Sequence, residues 1–388
     1  MKTSVLILGR QPAISLAELE SIYGSGSIEV LNGQSVLLNV PTSDVDLKSL
    51  GGSIKLCQPI ITMPNTNWQA ISEFLYENIA SFLENTDGKI KLGLSIYGSS
   101  INPHKINIAG LKLKKYIKQT LQRSIRTVPN TDSYLSSAQV IHNNLTKTNG
   151  AEIVICIGKN RTTFSKTIQV QDIFAYAKRD QNRPARDAKV GMLPPKLAQI
   201  IINLAIGNQK PKVVLDPFCG TGVILQETFL KNLTPYGTDL NEKMISYAIK
   251  NIDWLIKSDN SFKIHQADAT TFKWDSFDTL ASETYLGRPF STEPNQDKLN
   301  LVIQDVNTIL KKFLKNLSSQ TKPGLRLCIA VPVWFTKRGP KRLPIIDQLS
   351  ILGYTQVSFV YANNNDLIYH RENQIVGREL LVLIRKNK

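Results

Sequence analysis

The stretch KVVLDPFCGTGVILQETFL, residues 212–230, constrains this 388-residue chain more than any other. Its β-branched opening predicts a strand ending on Asp216, and its apolar periodicity after Gly222 predicts a helix. Between them lies a turn holding Phe218, Gly220, Thr221 and Gly222. The two glycines let the backbone approach a ligand closely and adopt positive φ. The N–H groups that open the helix face the crevice at the strand's carboxyl end. An acid just before such a turn argues against a pyrophosphate ligand, which Asp216 would repel. It suits a ligand with a cationic end, such as the amino acid moiety of S-adenosylmethionine.

From residue 191 onward the pattern alternates regularly. Strands are expected at 213–216, 236–239, 262–268, 278–283, 325–333, 357–362 and 378–385, with helical stretches separating the first six. Only an irregular loop joins the last two, so they are expected to pair antiparallel. The fold class is therefore α/β, a doubly wound seven-stranded sheet with one reversed edge strand. Asp239 ends the second strand about twenty residues after the turn, where an acid grips ribose hydroxyls. Asp268 follows the third strand, where it would accept from an adenine amino group. A helix cap accounts for any one of these acids, Asp239 above all. Three acids at three successive strand ends fit a ligand better.

Residues 1–170 read as alternating strands and helices of the ferredoxin-like α+β kind. Strands are expected at 4–9, 34–40, 89–98 and 150–158, and helices at 13–24, 67–84 and 109–128. Ser15 and Glu18 have the spacing of a capping box. At 171–190 charges crowd together and apolar periodicity fades, which reads as a linker that wraps rather than packs. The expected division is 1–60, 61–170, a linker at 171–190, and a C-terminal domain at 191–388.

The formal charge is +16. It divides evenly: 22 basic and 14 acidic residues up to 190, 25 and 17 after it, so each part carries +8. Such a spread suits a polyanion that touches both parts. Residues 112–126, KLKKYIKQTLQRSIR, carry six cations and no acid. Lys112, Lys114, Lys115, Lys118 and Arg123 would face out while Leu111, Tyr116, Leu121 and Ile125 face a core. A solvated basic face is the alternative to phosphate contact here. Lys337 and Arg338, in TKRGPKR after the fifth strand, are further RNA-contact candidates. The four cysteines lie far apart and are expected to be reduced thiols of a cytoplasmic protein. The four scattered histidines suggest no metal set, and no membrane span is expected.

The C-terminal part resembles class I S-adenosylmethionine-dependent methyltransferases, and DPFCGTG resembles the form found in amino-group methyltransferases of RNA and DNA. GMLPPKLAQIIINLA (191–205) resembles the segment that helps close the cofactor site in these enzymes. With LGRQPAISLAELES and GAEIVICIG near the ends of the N-terminal half and YHRENQIVGRELLVLI (369–384), nearly the whole chain resembles the THUMP-domain tRNA guanine-N2 methyltransferases. The resemblance implies a ferredoxin-like and THUMP RNA-binding region before the catalytic sheet, with S-adenosylmethionine as cofactor and tRNA as partner. It implies cofactor contacts from Leu193, Lys196, Asp216, Phe218, Gly220, Thr221, Gly222, Asp239, Leu240, Asp268, Ala269 and Glu283. It also suggests the guanosine at position ten as target.

In such enzymes the fourth strand ends in Asp or Asn, then Pro-Pro, then an aromatic. The exocyclic amine is a poor nucleophile whose lone pair must be turned toward the methyl. A side-chain oxygen and a backbone carbonyl hold its N–H groups while the aromatic stacks on the base. Here the segment is Ser282-Glu283-Thr284-Tyr285-Leu286-Gly287. Aligned on Gly287, Glu283 falls on the acid, Thr284 and Tyr285 on the prolines, and Leu286 on the aromatic. Glu283, Thr284 and Tyr285 are the catalytic candidates. A domain that binds but does not methylate is the alternative.

Overall fold

A computed structural model of the chain describes all residues except 1–2, 85, 87, 188–191, 257–261, 291, 373 and 388. Residues 188–190 of the expected linker, and 191, the expected start of the C-terminal domain, are among those left out. The chain divides into two compact units. One comprises Met1–Pro12, Gly26–Lys48 and Gly52–Ile173, and the other Ala13–Ser25, Ser49–Gly51 and Phe174–Lys388.

The first unit is built on one eight-stranded mixed sheet. Its spatial order is Ile28–Asn32, Ser35–Leu38, Ser4–Leu8, Ser53–Met63, Thr162–Val170, Gly150–Ile157, Ile90–Tyr97 and Ile125–Thr127. The division expected at residues 60 and 61 falls inside the long Ser53–Met63 strand, which belongs to this continuous sheet. Helix Trp68–Phe82 is capped by Asn67, whose side chain accepts from the Gln69 N–H. Its buried Ile71, Leu75, Ile79 and Phe82 recur at helical spacing and pack on the apolar side of strands 90–97 and 150–157.

The basic helix differs from the expected 109–128. It runs Pro103–Thr120, opened by the Asn102 cap with Pro103 in its first turn, and Gln122 at φ +50° turns the chain away. The buried face is Ile106, Ala109, Gly110, Leu113 and Ile117, so Leu111 and Tyr116 point outward instead of coreward. Counted from Ile106 the buried positions fall at i, i+3, i+4, i+7 and i+11, and Leu111 and Tyr116 lie off that stripe. Lys112, Lys115 and Lys118 are exposed and Lys114 half-buried. Arg123 lies beyond the helix, and its guanidinium is tied to the hydroxyl and carbonyl of Thr86.

The second unit carries the sheet that holds the site. Its order is Lys263–Gln266, Thr234–Asp239, Val213–Asp216, Thr279–Glu283, Arg326–Thr336, Val376–Arg385 and Tyr354–Gln356. The first five are parallel, and Val376–Arg385 runs antiparallel between its neighbours. The reversed strand therefore lies one in from the edge, not at it. Short strands Gly339–Lys341 and Ile368–Tyr369 add to this path. Residues 357–362 are not a strand. Glu20 accepts the N–H groups of Val360 and Tyr361, which diverts that backbone from the ladder. No helix occurs among residues 267–278.

Two segments pack where solvation or a separate domain was expected. Helix Pro12–Tyr23 belongs, from Ala13, to the second unit, with Ile14 and Ala17 in one apolar cluster with Leu197 and Ile201. Because the helix starts at Pro12, Ser15 and Glu18 are interior and form no capping box at its start. Buried Glu18 accepts from Asn203 Nδ2 at 2.6 Å and from the Gly51 N–H at 2.9 Å. The expected linker contains helix Ile173–Gln181. It packs through specific contacts: Arg179 pairs with buried Glu227 at 2.6 Å, and Tyr176 donates to Gln199.

Candidate functional site

The parallel strands of the second unit end at a common edge, and a small cleft opens there. Asp187, Met192, Leu193, Asp216, Phe218, Cys219, Gly220, Thr221, Val223, Ile224, Met244 and Glu283 line it. Six of the residues singled out in the sequence meet in it: Leu193, Asp216, Phe218, Gly220, Thr221 and Glu283. Helix Pro195–Ile206, opened by Pro195, leaves Leu193 just ahead of it on the cleft.

Asp216 is 2% exposed. Its Oδ1 accepts from Ser282 Oγ at 2.6 Å and from the Phe218 N–H at 3.2 Å. Burial pushes its carboxyl up to about 8, against the pull of those two donors. The glycine turn is held from behind. Cys219 donates its N–H to the Thr238 carbonyl, and Gly220 donates to Asp239 Oδ2 at 2.9 Å. Gly222, at φ +82°, has room for no side chain: a Cβ there would lie 3.1 Å from the Ala248 backbone. Gly220, at φ +50°, faces open space. One glycine thus serves packing and the other leaves the turn bare toward the cleft.

Several expected cofactor residues stand back from the cleft wall. Asp239 holds the Gly220 N–H and also caps Asn241 through Oδ1 at 2.9 Å. Asp268 is exposed and caps Thr270 through backbone and hydroxyl, both at 2.8 Å. Leu240 is exposed and Ala269 buried. The Lys196 ammonium lies over the Tyr176 ring at 5.4 Å, and burial lowers it to about 8 despite nearby Glu18.

The Ser282–Gly287 segment is ordered without prolines. Thr284 donates both its N–H, at 2.9 Å, and its hydroxyl, at 3.1 Å, to the Ala330 carbonyl. That double anchor extends the ladder past Glu283 and stiffens the turn. Tyr285 is exposed, and Gly287 takes φ +85° where a Cβ would press Val302 at 2.7 Å. Glu283 is partly buried, and Arg378 Nε donates to its Oε1 at 2.5 Å. Burial raises the Glu283 carboxyl and the guanidinium opposes that rise. Lys337 and Arg338 sit exposed at the tip of the hairpin joining Arg326–Thr336 to Gly339–Lys341. The Lys337 backbone N–H is held by Glu293.

Sequence reasoning missed Asp187, which pairs with Lys243 at 3.4 Å, and Arg378, 95 residues from its partner Glu283. The only sign of Arg378 was a charge interrupting an apolar strand. Met192, Met244, Val223 and Ile224 carried no signal beyond ordinary core periodicity.

The site suits a ligand with positive charge. Three carboxylates face a cleft whose floor is a bare glycine turn, and buried Asp216 has no ion-pair partner among the described residues. Known proteins agree with this layout. A family model described as a methyltransferase domain matches residues 208–359. The tRNA (guanine(10)-N2)-dimethyltransferase of Pyrococcus abyssi is 31% identical over 143 residues, 36% of this chain and 39% of that protein. The match spans about two fifths of the length of the curated relatives. Among solved structures, TrmN from Thermus thermophilus superposes with TM-score 0.51 at 15% identity, covering 99% of each chain. SMU.472, a putative methyltransferase complexed with SAH, gives 0.53 at 14% identity over 100% of this chain and 99% of that one. Residues 208–359 of the second unit thus match a methyltransferase domain, the chain shares its fold with these solved structures, and part of it is similar in sequence to enzymes named tRNA (guanine(10)-N2)-dimethyltransferases.

Proposed function

We propose that this protein is an enzyme that methylates the exocyclic N2 of a guanosine in tRNA, the nucleoside at position ten, with S-adenosylmethionine as methyl donor. The carrying observation is the meeting of Asp216, the bare Gly220–Thr221 turn and Glu283 in one cleft. When bound, S-adenosylmethionine supplies a methyl group on a cationic sulfur. Asp216 would hold the cationic amino end, and Leu193 and Phe218 would cover apolar parts of the ligand. Asp239 supports the turn through Gly220, with its remaining lone pairs free to take ribose hydroxyls. Glu283 would accept an N–H of the guanine amine and turn the nitrogen lone pair toward the methyl. Once the amine is methylated, the nitrogen would carry the positive charge, and the Glu283 carboxylate would accept the proton it sheds. Tyr285, exposed beside Glu283, would stack on the extruded base.

The first unit, with its basic Pro103–Thr120 helix, would supply the THUMP-like RNA-binding surface, joined by Lys337 and Arg338 near the cleft. Incubation of the protein with S-adenosylmethionine and tRNA, followed by mass spectrometry of the nucleosides, tests the reading. A methylated guanosine that depends on Asp216 supports it, and unchanged tRNA contradicts it. One observation favours a second reading, a tRNA-binding protein whose domain no longer transfers methyl: Arg378 already occupies one oxygen of Glu283.

A further inference from the structure

Arg378 projects from the reversed strand Val376–Arg385, beside Pro332 of the neighbouring strand, and its side chain is 7% exposed. Its Nε donates to Glu283 Oε1, and Arg378 is the only hydrogen-bond partner of Glu283 among the described residues. Two acids line the same cleft: Asp216 on the adjacent strand, and Asp187, which is paired with Lys243. A carboxylate in acidic, half-buried surroundings takes up a proton and swings freely unless a cation holds it.

We propose that Arg378 is a positioning residue for the reaction: it clamps Glu283 as an ion with one oxygen committed to the guanidinium and the other left for the substrate amine. This rests on the methyl-transfer reading above. Glutamate is one methylene longer than the acid usual at this position, and both prolines are missing, so the carboxylate needs a hold that a shorter side chain on a stiff turn does not. The Thr284 anchor fixes the backbone, and Arg378 fixes the side-chain tip. An opposing acid–guanidinium geometry also explains why an arginine interrupts an otherwise apolar strand. The same contact opposes the upward push that burial gives the Glu283 carboxyl.

The test compares wild type, R378K and R378Q in single-turnover methyl transfer over a range of pH, with cofactor affinity as a check that the cleft is intact. R378Q is expected to lower the rate about ten- to a hundredfold near neutral pH through loss of a charge-assisted bond. Its acid limb is expected to move upward, with R378K restoring most of the limb's position. Carbon-13 NMR of glutamate-labelled protein, with E283Q for assignment, reads the same carboxylate without needing turnover. Its titration should lie higher in R378Q than in wild type. Unchanged titration and an unmoved acid limb in R378Q overturn the clamp. A wild type that transfers no methyl sinks the proposed function, and the titration still decides the clamp.

Discussion

Each unit buries an acid beside a base, and the two pairs differ in how many partners the acid has. In the first unit, Lys55 and Glu152 have side chains that are fully buried. Glu152 Oε1 takes the Lys55 ammonium and the Ser95 hydroxyl, and Oε2 takes the Thr167 hydroxyl at 2.6 Å. Lys55 also donates to the Leu135 carbonyl at 2.8 Å. Four strands are thereby stitched together, and both oxygens of the fully buried Glu152 are engaged. In the second unit, Glu283 has one hydrogen-bond partner among the described residues and lines a cleft. A closed network is architecture, because everything it binds is already there. An open one has capacity left for something the chain does not contain.

The largest expected effect comes from breaking the closed pair. Glu152→Ala leaves Lys55 buried without a counter-charge and should cost about 3–5 kcal/mol of stability. Denaturant unfolding, with hydrogen exchange in strands 53–63 and 150–157, reads that loss. The double variant Lys55→Met with Glu152→Leu should recover most of it. Cofactor affinity should be unchanged in both, and a parallel fall would break the comparison.

Next comes Asp216, whose carboxyl burial pushes up to about 8. In the unfolded chain an aspartate titrates near about 3.9. Between those values the empty folded protein holds a proton that the unfolded chain has lost. Stability from this group therefore falls as pH rises from about 4 to about 8 and is level above. A ligand with a cationic end needs the ionised form, so cofactor binding should tighten as pH rises toward about 8. Asp216→Asn should weaken binding by about 1.5–3 kcal/mol and flatten its pH dependence. Calorimetry across that range checks both, and affinity that falls with pH contradicts the charge pairing.

Asp239→Ala should weaken cofactor binding by about 1–3 kcal/mol, through lost ribose contacts and a released Gly220 N–H. Calorimetry at one pH suffices, and equal affinity removes both roles. The smallest effect belongs to Lys114, Lys115 and Lys118. Neutralising them should lower tRNA affinity and flatten its salt slope by about 1 for each lysine that meets a phosphate. An unchanged slope places this helix away from the RNA.

The glycine turn was legible because its chemistry is local. Strand, acid, turn and helix follow one another in nineteen residues, 212–230. The central parallel strands were legible for the same reason, as Val213–Asp216 and Arg326–Thr336 are local apolar runs. What sequence hid was pairing across distance. Arg378 reads as a stray charge until the reversed strand brings it to Glu283. The Ile173–Gln181 helix reads as solvated because Glu227, which pairs with Arg179, and Gln199, which accepts from Tyr176, lie far along the chain. Helix Pro12–Tyr23 carries no mark of its destination, since Asn203 and Arg326, which hold Glu18 and Ser21, come much later.

The most direct measurement is single-turnover methyl transfer at saturating tRNA and S-adenosylmethionine, wild type against Glu283→Ala. If the open carboxylate holds the guanine amine, the wild type transfers methyl. The variant then binds both ligands but reacts more slowly, by about 2.7–4 kcal/mol of barrier. A variant that transfers methyl at the wild-type rate contradicts the account, and the amine is then held elsewhere.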